Sequence, residues 1–238
     1  ILGLPFIYFT YFTDNYKLFT QFFGGGLPCF WTTISILSIV VSLLGLVIRA
    51  YTIGTTPRGT SGRNREKQVA NRLNTKGIYS VVRHPLYVGN YLMWAGLLIF
   101  VANIYLFIIA SLLYWLYYER IMFAEECYLE KQFGEDFIQW SMKVPAFVPA
   151  FKQFEKGDIP FSIKSVLRRE YSGAFAITLC FTSVDYIRYY AVTLQDNILQ
   201  PQWIRLSLLC LAVMAVLTIV LRTLKHYTPI LNRDMDRD

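Results

Sequence analysis

The chain has 238 residues, of which 55% are hydrophobic and 17% aromatic, and its mean hydropathy is +0.38. A soluble domain of this length seldom carries so much apolar surface, so the composition argues against a soluble enzyme and favours a membrane protein. Lysine and arginine number 23 against 16 acidic residues, a net charge of +7. Such an excess suits nucleic acid, an anionic lipid surface or an anionic ligand, and the position of the charges decides between them.

Apolar segments long enough to cross a bilayer recur along the chain. Residues 29–50 are uncharged from Cys29 to Ile48, about 30 Å of helix at roughly 1.5 Å per residue. Two further stretches meet at Asn103 and predict a helical hairpin over 86–123. The sequence therefore predicts an all-α, polytopic transmembrane helix bundle of about six spans, at 1–12 (the end of a span whose beginning is missing), 29–50, 86–101, 103–123, 172–193 and 203–221.

The distribution of charge predicts the orientation of this bundle. Between Arg49 and Arg83 there are eight basic residues and one acidic residue, and the segment 143–169 is also rich in lysine and arginine. By the positive-inside rule these loops are cytoplasmic, which favours a membrane protein over a nucleic-acid-binding one. We expect three regions: N-terminal spans (1–50), a catalytic core facing the cytoplasm (51–170), and two C-terminal spans with a tail (171–238).

The cysteines give no sign of metal or redox chemistry. They lie far apart, mostly inside apolar segments, and none has the CxxC spacing of metal or redox sites. We interpret them as packing residues and predict no metal site; they are Cys29, Cys127, Cys180 and Cys210.

Polar residues are concentrated in two segments on either side of the hairpin. Arg83, His84 and Pro85 stand where a basic loop meets the third span, and proline suits the first turn of a helix because its missing N–H needs no partner there. Glu125 and Glu126 lie at the cytoplasmic end of the returning helix. An arginine–histidine pair and an acidic pair therefore converge on one face of the bilayer.

This combination suits S-adenosylmethionine. That molecule carries a cationic sulfonium, an amine and a carboxylate, so its pocket needs carboxylates together with arginine, histidine or backbone N–H groups. Each motif also has a simpler interpretation, a headgroup-facing anchor for the RHP triplet and an exposed acidic step for the glutamates. Their occurrence together, with Tyr79, Tyr87 and Gly89 around them, favours a site.

The same residues resemble a known superfamily. The pattern G-x-Y-x-x-x-R-H-P-x-Y-x-G over 77–89, followed by R…E-E-x-x-L…F-G, is similar to the isoprenylcysteine carboxyl methyltransferases and phospholipid methyltransferases. The resemblance implies an integral membrane enzyme that transfers a methyl group from S-adenosylmethionine to a lipid-borne acceptor. It implies a catalytic role for Arg120 and Glu125, and cofactor contacts for Gly77, Tyr79, Arg83, His84, Pro85, Tyr87, Gly89, Glu125 and Glu126.

The acceptor is expected to be an anionic oxygen, a lipid phosphate or a prenylcysteine-type carboxylate. The resemblance makes Arg120 the candidate to hold it, and Arg58 and Arg63 lie in a basic loop suited to an anionic headgroup. In the family the arginine stands four residues before the first glutamate, whereas Arg120 precedes Glu125 by five. Either the helix carries a local bulge or Arg120 faces elsewhere.

Three other functions stay open at this point. A phospholipid amine is an alternative acceptor. An NADPH-dependent enzyme of the sterol-reductase type shares a related membrane fold, although the chain is short for that group and paired glutamates suit a sulfonium better than a phosphorylated dinucleotide. A transporter or scaffold would leave both motifs unexplained. No obligate protein partner is evident.

Overall fold

The structure is a computed structural model and describes residues 27–56, 70, 72–193, 201–228 and 231. Within these residues the regular elements are helical, with short 3-10 turns at Ile78–Ser80 and Phe151–Gln153, so the all-α prediction is confirmed. The helices are α1 (Leu27–Thr55), α2 (Pro85–Val101), α3 (Ile104–Phe133), α4 (Glu135–Lys143), α5 (Ile163–Thr193) and α6 (Pro201–Tyr227). The predicted span at 1–12 lies outside the described residues.

The long helices follow the predicted spans because a chain in lipid must satisfy its backbone hydrogen bonds within each segment. Three are long and apolar enough to cross a membrane, over Phe30–Thr55, Ile104–Phe133 and Ile204–Tyr227, and α2 is a shorter apolar helix. Many large apolar side chains of these helices are exposed. The chain is thus an integral membrane protein, while the six-span count stays a prediction.

The hairpin between α2 and α3 turns within two residues. Ala102 adopts a left-handed conformation with φ of 57°, and Asn103 follows it. The Asn103 side chain accepts a hydrogen bond of 2.9 Å from the Leu106 amide and so caps the start of α3. The Asn103 position predicted for the turn is confirmed.

Packing divides the chain into two compact units, of which the first comprises described parts of 1–44, 92–111 and 171–220. Here α1 and α2 cross closely, since a Cβ at Gly96 would lie 2.5 Å from the Ser38 carbonyl oxygen. Ser42 donates a hydrogen bond of 3.3 Å to the Met93 carbonyl. Small and hydroxyl-bearing residues commonly bring helices together in this way in membranes.

The second unit comprises described parts of 45–91, 112–170 and 221–238 and contains both sequence motifs. In it the strap, defined here as residues 144–155, runs beside the loop that precedes α2. Backbone hydrogen bonds of 2.9–3.1 Å join the two segments, from Arg83 N to Pro145 O, His84 N to Ala146 O, Ala150 N to Val81 O and Gly77 N to Glu155 O. The strap therefore holds the RHP triplet by its backbone. The division of the chain into 1–50, 51–170 and 171–238 stays a prediction.

Gly89 provides a test of the helix packing in the second unit. A Cβ at this position would lie 2.6 Å from Arg49 Cγ and 2.8 Å from the Gly45 carbonyl oxygen. Gly89→Ala is expected to destabilise the protein by about 1–3 kcal/mol, because backbone has to move. The comparison is Gly54→Ala, where the neighbour is the outer edge of the Phe161 ring, which can rotate away. Thermal unfolding in detergent measures both; equal stability of the two variants would contradict the prediction.

Candidate active site

The RHP triplet lies at a sharply defined junction between the 3-10 turn and α2. Gly77 adopts φ of 64°, a left-handed conformation that a side chain would strain. Ser80 Oγ donates 2.7 Å to the Gly77 carbonyl and accepts 2.9 Å from the Glu155 amide. Helix α2 then begins at Pro85, as the sequence predicts. Hydrogen bonds within the 3-10 turn and with the strap thus hold the backbone that carries Arg83 and His84.

Arg83 connects α3 to the end of α4. Its Nε lies 2.9 Å from Glu126 Oε1 and its Nη2 lies 3.3 Å from Glu126 Oε2, a bidentate ion pair. Its Nη1 donates to the carbonyl oxygens of Ser141, at 2.6 Å, and Val144, at 2.9 Å. Paired geometry of this kind is the strongest form of charge-assisted hydrogen bond. Four of the five N–H donors of Arg83 are therefore engaged by protein groups.

His84 and Tyr87 approach the two glutamates from α2. His84 Nε2 lies 2.8 Å from Glu126 Oε1, and because a carboxylate only accepts, this nitrogen carries the proton. Tyr87 Oη donates 2.9 Å to Glu125 Oε2, while His84 Nδ1 lies 3.7 Å from the same oxygen, beyond hydrogen-bond distance. Glu126 thus binds two basic groups, and Glu125 one hydroxyl, among the described contacts.

Aromatic rings line α2 and α3 beside this polar cluster. Tyr114 Oη donates 2.9 Å to the Tyr87 carbonyl, and the Tyr114 and Tyr118 rings stack with centroids 4.0 Å apart. Tyr91 contacts both Tyr114 and Phe147, at 5.2 and 5.9 Å between centroids. We call these rings, with Tyr87, the aromatic wall. Aromatic faces of this kind attract cations electrostatically.

Tyr79 lies outside the membrane-spanning helices and packs against the Phe137, Trp140 and Val144 cluster. Its carbonyl accepts 3.1 Å from Trp140 Nε1, and its hydroxyl is hydrogen-bonded to Thr56. Burial raises the pKa of the Tyr79 phenol, the negative charge of Glu125 raises it further, and the positive charge of Arg169 lowers it. The phenol therefore stays protonated and lies within the fields of two opposite charges.

The structure brings together most of the residues that the sequence singled out. Arg83 and His84 bond Glu126, and Tyr87 bonds Glu125. His84 Nδ1 lies 3.7 Å from Glu125, so these five residues form one cluster, and Pro85 is buried at the start of α2. Their predicted roles stay predictions.

Three other candidates among the described residues lie outside this cluster. Gly77 bonds the strap, and Gly89 faces Arg49 and Gly45. Arg120 is exposed on α3, which is a continuous α-helix, so it lies about 500°, or 140° net, around the helix from Glu125. The second of the two alternatives, that Arg120 faces elsewhere, is the one this geometry supports. Arg58 and Arg63 lie outside the described residues.

Sequence reasoning missed a buried network at the base of the second unit. Arg49 donates to both oxygens of Glu170 at 2.7 Å and to Asn90 Oδ1 at 2.5 Å, joining α1, α5 and α2. The available signal was a charged residue at the end of the predicted span 29–50 and another just before the span 172–193, because such charges beside apolar spans mark a pair or a functional group. In the part of the chain that the structure describes, no group of three His, Cys, Asp or Glu side chains could hold a metal ion.

Comparison with known proteins finds a family that is similar to the part of the chain containing this site. The family model described as phospholipid methyltransferase matches residues 31–136, which contain both motifs. This segment is therefore similar to the phospholipid methyltransferase family. The superfamily predicted from the motifs is therefore confirmed.

Curated relatives match about half of the chain. A protein-S-isoprenylcysteine O-methyltransferase of Schizosaccharomyces pombe is 30% identical over 114 residues, which are 45% of this chain and 48% of the relative. Protein-S-isoprenylcysteine O-methyltransferase B of Arabidopsis thaliana is 30% identical over 130 residues, 54% of this chain and 64% of the relative. A nickel-cobalt-cadmium resistance protein of Alcaligenes xylosoxydans xylosoxydans is 32% identical over 123 residues, 52% of this chain and 55% of the relative.

These matches cover only part of each protein. The chain spans 48% and 64% of the length of the first two relatives. No solved structure matches the chain.

Proposed function

We propose that this protein is an integral membrane methyltransferase that moves a methyl group from S-adenosylmethionine to a lipid-borne acceptor, a prenylcysteine-type carboxylate. The observation that carries the proposal is the cluster in which Glu125 and Glu126 meet Arg83, His84 and Tyr87. It lies within the segment that is similar to the phospholipid methyltransferase family. Relatives named protein-S-isoprenylcysteine O-methyltransferases support the carboxylate acceptor.

The residues present fit the methyl donor. Glu126 is paired with Arg83 and hydrogen-bonded to His84, whereas Glu125 receives one hydrogen bond among the described contacts, from Tyr87. A carboxylate offers about four lone-pair positions, so Glu125 has acceptor capacity left for a cation. The neighbouring aromatic wall adds faces suited to positive charge. Glu125 is therefore the group that would face the cationic part of the donor, and Glu126 the group that fixes Arg83 and His84.

Bound S-adenosylmethionine supplies an electrophilic methyl group on a positively charged sulfur. An acceptor oxygen held in line with it would take the methyl group, and the bonding pair of the broken carbon–sulfur bond would stay with sulfur. A carboxylate enters this displacement already deprotonated, so the protein needs no general base. The protein contributes by binding the two substrates, aligning them and excluding water. A fixed cluster such as the one around Glu126 suits this role.

The acceptor would reach this cluster from the bilayer. Large apolar side chains such as Leu112, Trp115 and Leu116 are exposed on α3, and they are surfaces that lipid chains cover in a membrane. Trp115 contacts Phe147 of the strap at 5.4 Å between centroids. A lipid tail lying along α3 would therefore bring its polar end towards the strap. We further propose that this end of the protein faces the cytoplasm, in accord with its basic loops.

Ligand binding and turnover by the purified protein test this function. Radiolabelled S-adenosylmethionine is expected to bind, and NADPH is expected not to compete with it. Methyl transfer is then measured to a prenylated cysteine with a free carboxylate and to phosphatidylethanolamine in vesicles. A base-labile methyl ester on the first acceptor is the expected product. Binding of NADPH in place of the methyl donor would contradict the proposal, and methylation of phosphatidylethanolamine alone would shift the acceptor to an amine.

A further inference from the structure

The strap lies beside the apolar surface of two helices. Its residue Phe147 contacts Tyr91 of α2 and Trp115 of α3, at 5.9 and 5.4 Å between ring centroids. Tyr91 follows the first residue of α2, Pro85, by about 9 Å along the helix axis. Trp115 belongs to a helix long and apolar enough to cross a membrane, and it is exposed. The strap therefore runs at the level where lipid covers these helices.

The strap also carries large apolar side chains that the protein leaves uncovered. Val148, Phe151 and Phe154 are 74%, 77% and 54% exposed, although they lie outside the long apolar helices. The Phe154 amide donates 3.3 Å to the Phe151 carbonyl and closes a 3-10 turn, in which positions three apart lie on the same side. Contiguous exposed apolar groups of this kind mark an interaction surface.

Basic side chains accompany these apolar groups. Lys152 and Lys156 are exposed, and residues 143–156 contain three lysines against one glutamate. We call Val148, Phe151 and Phe154, with Lys152 and Lys156, the strap edge. Interleaved aromatic and basic residues are typical of segments that lie in a membrane interface. A lysine stem can cover apolar surface there while its ammonium group stays among the headgroups.

The charge of the strap edge indicates which lipid it meets. A leaflet surface that contains anionic phospholipids attracts each nearby lysine. A soluble acidic protein would offer the same charge, but Phe147 ties the strap to the exposed apolar side of α3, which lipid covers. The strap edge is therefore continuous with a surface in contact with the bilayer, and lipid is the partner that the contacts favour.

We propose that the strap edge docks into the surface of the leaflet and binds anionic phospholipid headgroups. The apolar side chains enter the boundary between headgroups and acyl chains, and the two ammonium groups contact headgroup phosphates. The same strap holds the RHP triplet by its backbone, so docking places the candidate site at the membrane surface. This inference goes beyond the methyltransferase function proposed above, and its test needs no turnover.

The first measurement locates the strap edge with Phe151→Trp in proteoliposomes. The difference in emission between the variant and the parent removes the signal of the native tryptophans. Phospholipids brominated near their headgroups should quench this difference, while aqueous acrylamide should quench it only weakly. The matched control is Gln139→Trp, at an exposed position of the polar face of α4, where acrylamide should quench and brominated lipid should not.

The second measurement tests charge recognition in the same Phe151→Trp protein, by titrating lipid into the detergent-solubilised sample. Phosphatidylglycerol should saturate the emission change at a lower concentration than phosphatidylcholine, and added salt should reduce this preference. Lys152→Gln combined with Lys156→Gln should weaken phosphatidylglycerol binding by about five- to 25-fold, since each lysine contributes roughly fivefold at an anionic surface. Lys131→Gln removes an exposed charge about 12 Å along α3 beyond residue 123 and should leave binding unchanged.

Four results would overturn the proposal. Quenching at position 151 by acrylamide alone would place the strap edge in water and leave it for a soluble partner. Equal binding of the two lipids, or a loss in Lys131→Gln equal to that in the double variant, would exclude specific recognition of anionic headgroups. The same emission change with inorganic phosphate would assign the lysines to a free anion and not to the membrane.

Discussion

Replacing Glu125 by glutamine is expected to lower kcat/KM by roughly ten- to 150-fold and to weaken S-adenosylmethionine binding by a similar factor. Glutamine keeps the size of the side chain but removes the charge that would face the sulfonium, a loss of about 1.5–3 kcal/mol. The larger value is expected because the glutamine amide can also point its N–H₂ group at the cation. Calorimetric titration of the donor, followed by initial rates, measures both quantities.

Two further variants make the result specific to Glu125. Glu130→Gln removes an equal charge from an exposed position of the same helix and should leave binding unchanged. Tyr87→Phe removes the 2.9 Å hydrogen bond to Glu125 but keeps the carboxylate. It should therefore weaken S-adenosylmethionine binding by about 1 kcal/mol, roughly fivefold. A Glu125→Gln protein with the donor affinity and rate of the parent would exclude Glu125 from the site.

The membrane fold could be predicted largely from the apolar segments. The described helices α1, α2, α3, α5 and α6 overlap the five predicted spans at 29–50, 86–101, 103–123, 172–193 and 203–221. The starts of α2 and α3 were also predictable, since Pro85 can start a helix and Asn103 can cap one. In lipid the backbone N–H and C=O groups must be hydrogen-bonded within the protein, so a chain of this composition is expected to cross the membrane as helices.

The end of α3 and the short helix α4 could not be predicted in the same way. Helix α3 continues ten residues beyond the predicted limit at 123, to Phe133. Hydropathy falls where charged residues such as Glu125 and Lys131 begin, but these residues are good helix formers, so the helix continues after the apolar surface ends. The amphipathic helix α4, over Glu135–Lys143, was missed because its apolar face is short and the polar residues between its apolar positions lower the hydropathy of the segment.

The candidate site was predictable as a set of residues and not as a set of contacts. The hairpin brings residues of 83–91 and 114–126 together once both helices form. Which glutamate takes Arg83 depends on a rotation of about 100° between neighbouring helix positions, which a single sequence does not determine. The Arg49–Glu170 pair joins residues 121 positions apart, and such pairings depend on tertiary packing alone.

Breaking that pair has the largest expected effect on stability. The Arg49 and Glu170 side chains are 6% and 5% exposed and are joined by two 2.7 Å bonds. Glu170→Ala is expected to destabilise the protein by about 3–5 kcal/mol, because it leaves a buried guanidinium with only Asn90 as its described partner. Reversible unfolding in mixed detergent micelles, followed by circular dichroism, measures the free energy.

The design includes a rescue and a surface control. Arg49→Met combined with Glu170→Leu removes both charges and should restore most of the stability, since replacing a buried ion pair by apolar residues is often neutral or favourable. Asp158→Asn breaks the exposed pair with Lys76, in which the side chains are 53% and 50% exposed, and should cost less than about 1 kcal/mol. A double variant as unstable as Glu170→Ala would instead show that the loss comes from altered packing, and a Glu170→Ala protein as stable as Asp158→Asn would contradict the expected cost of the buried charge.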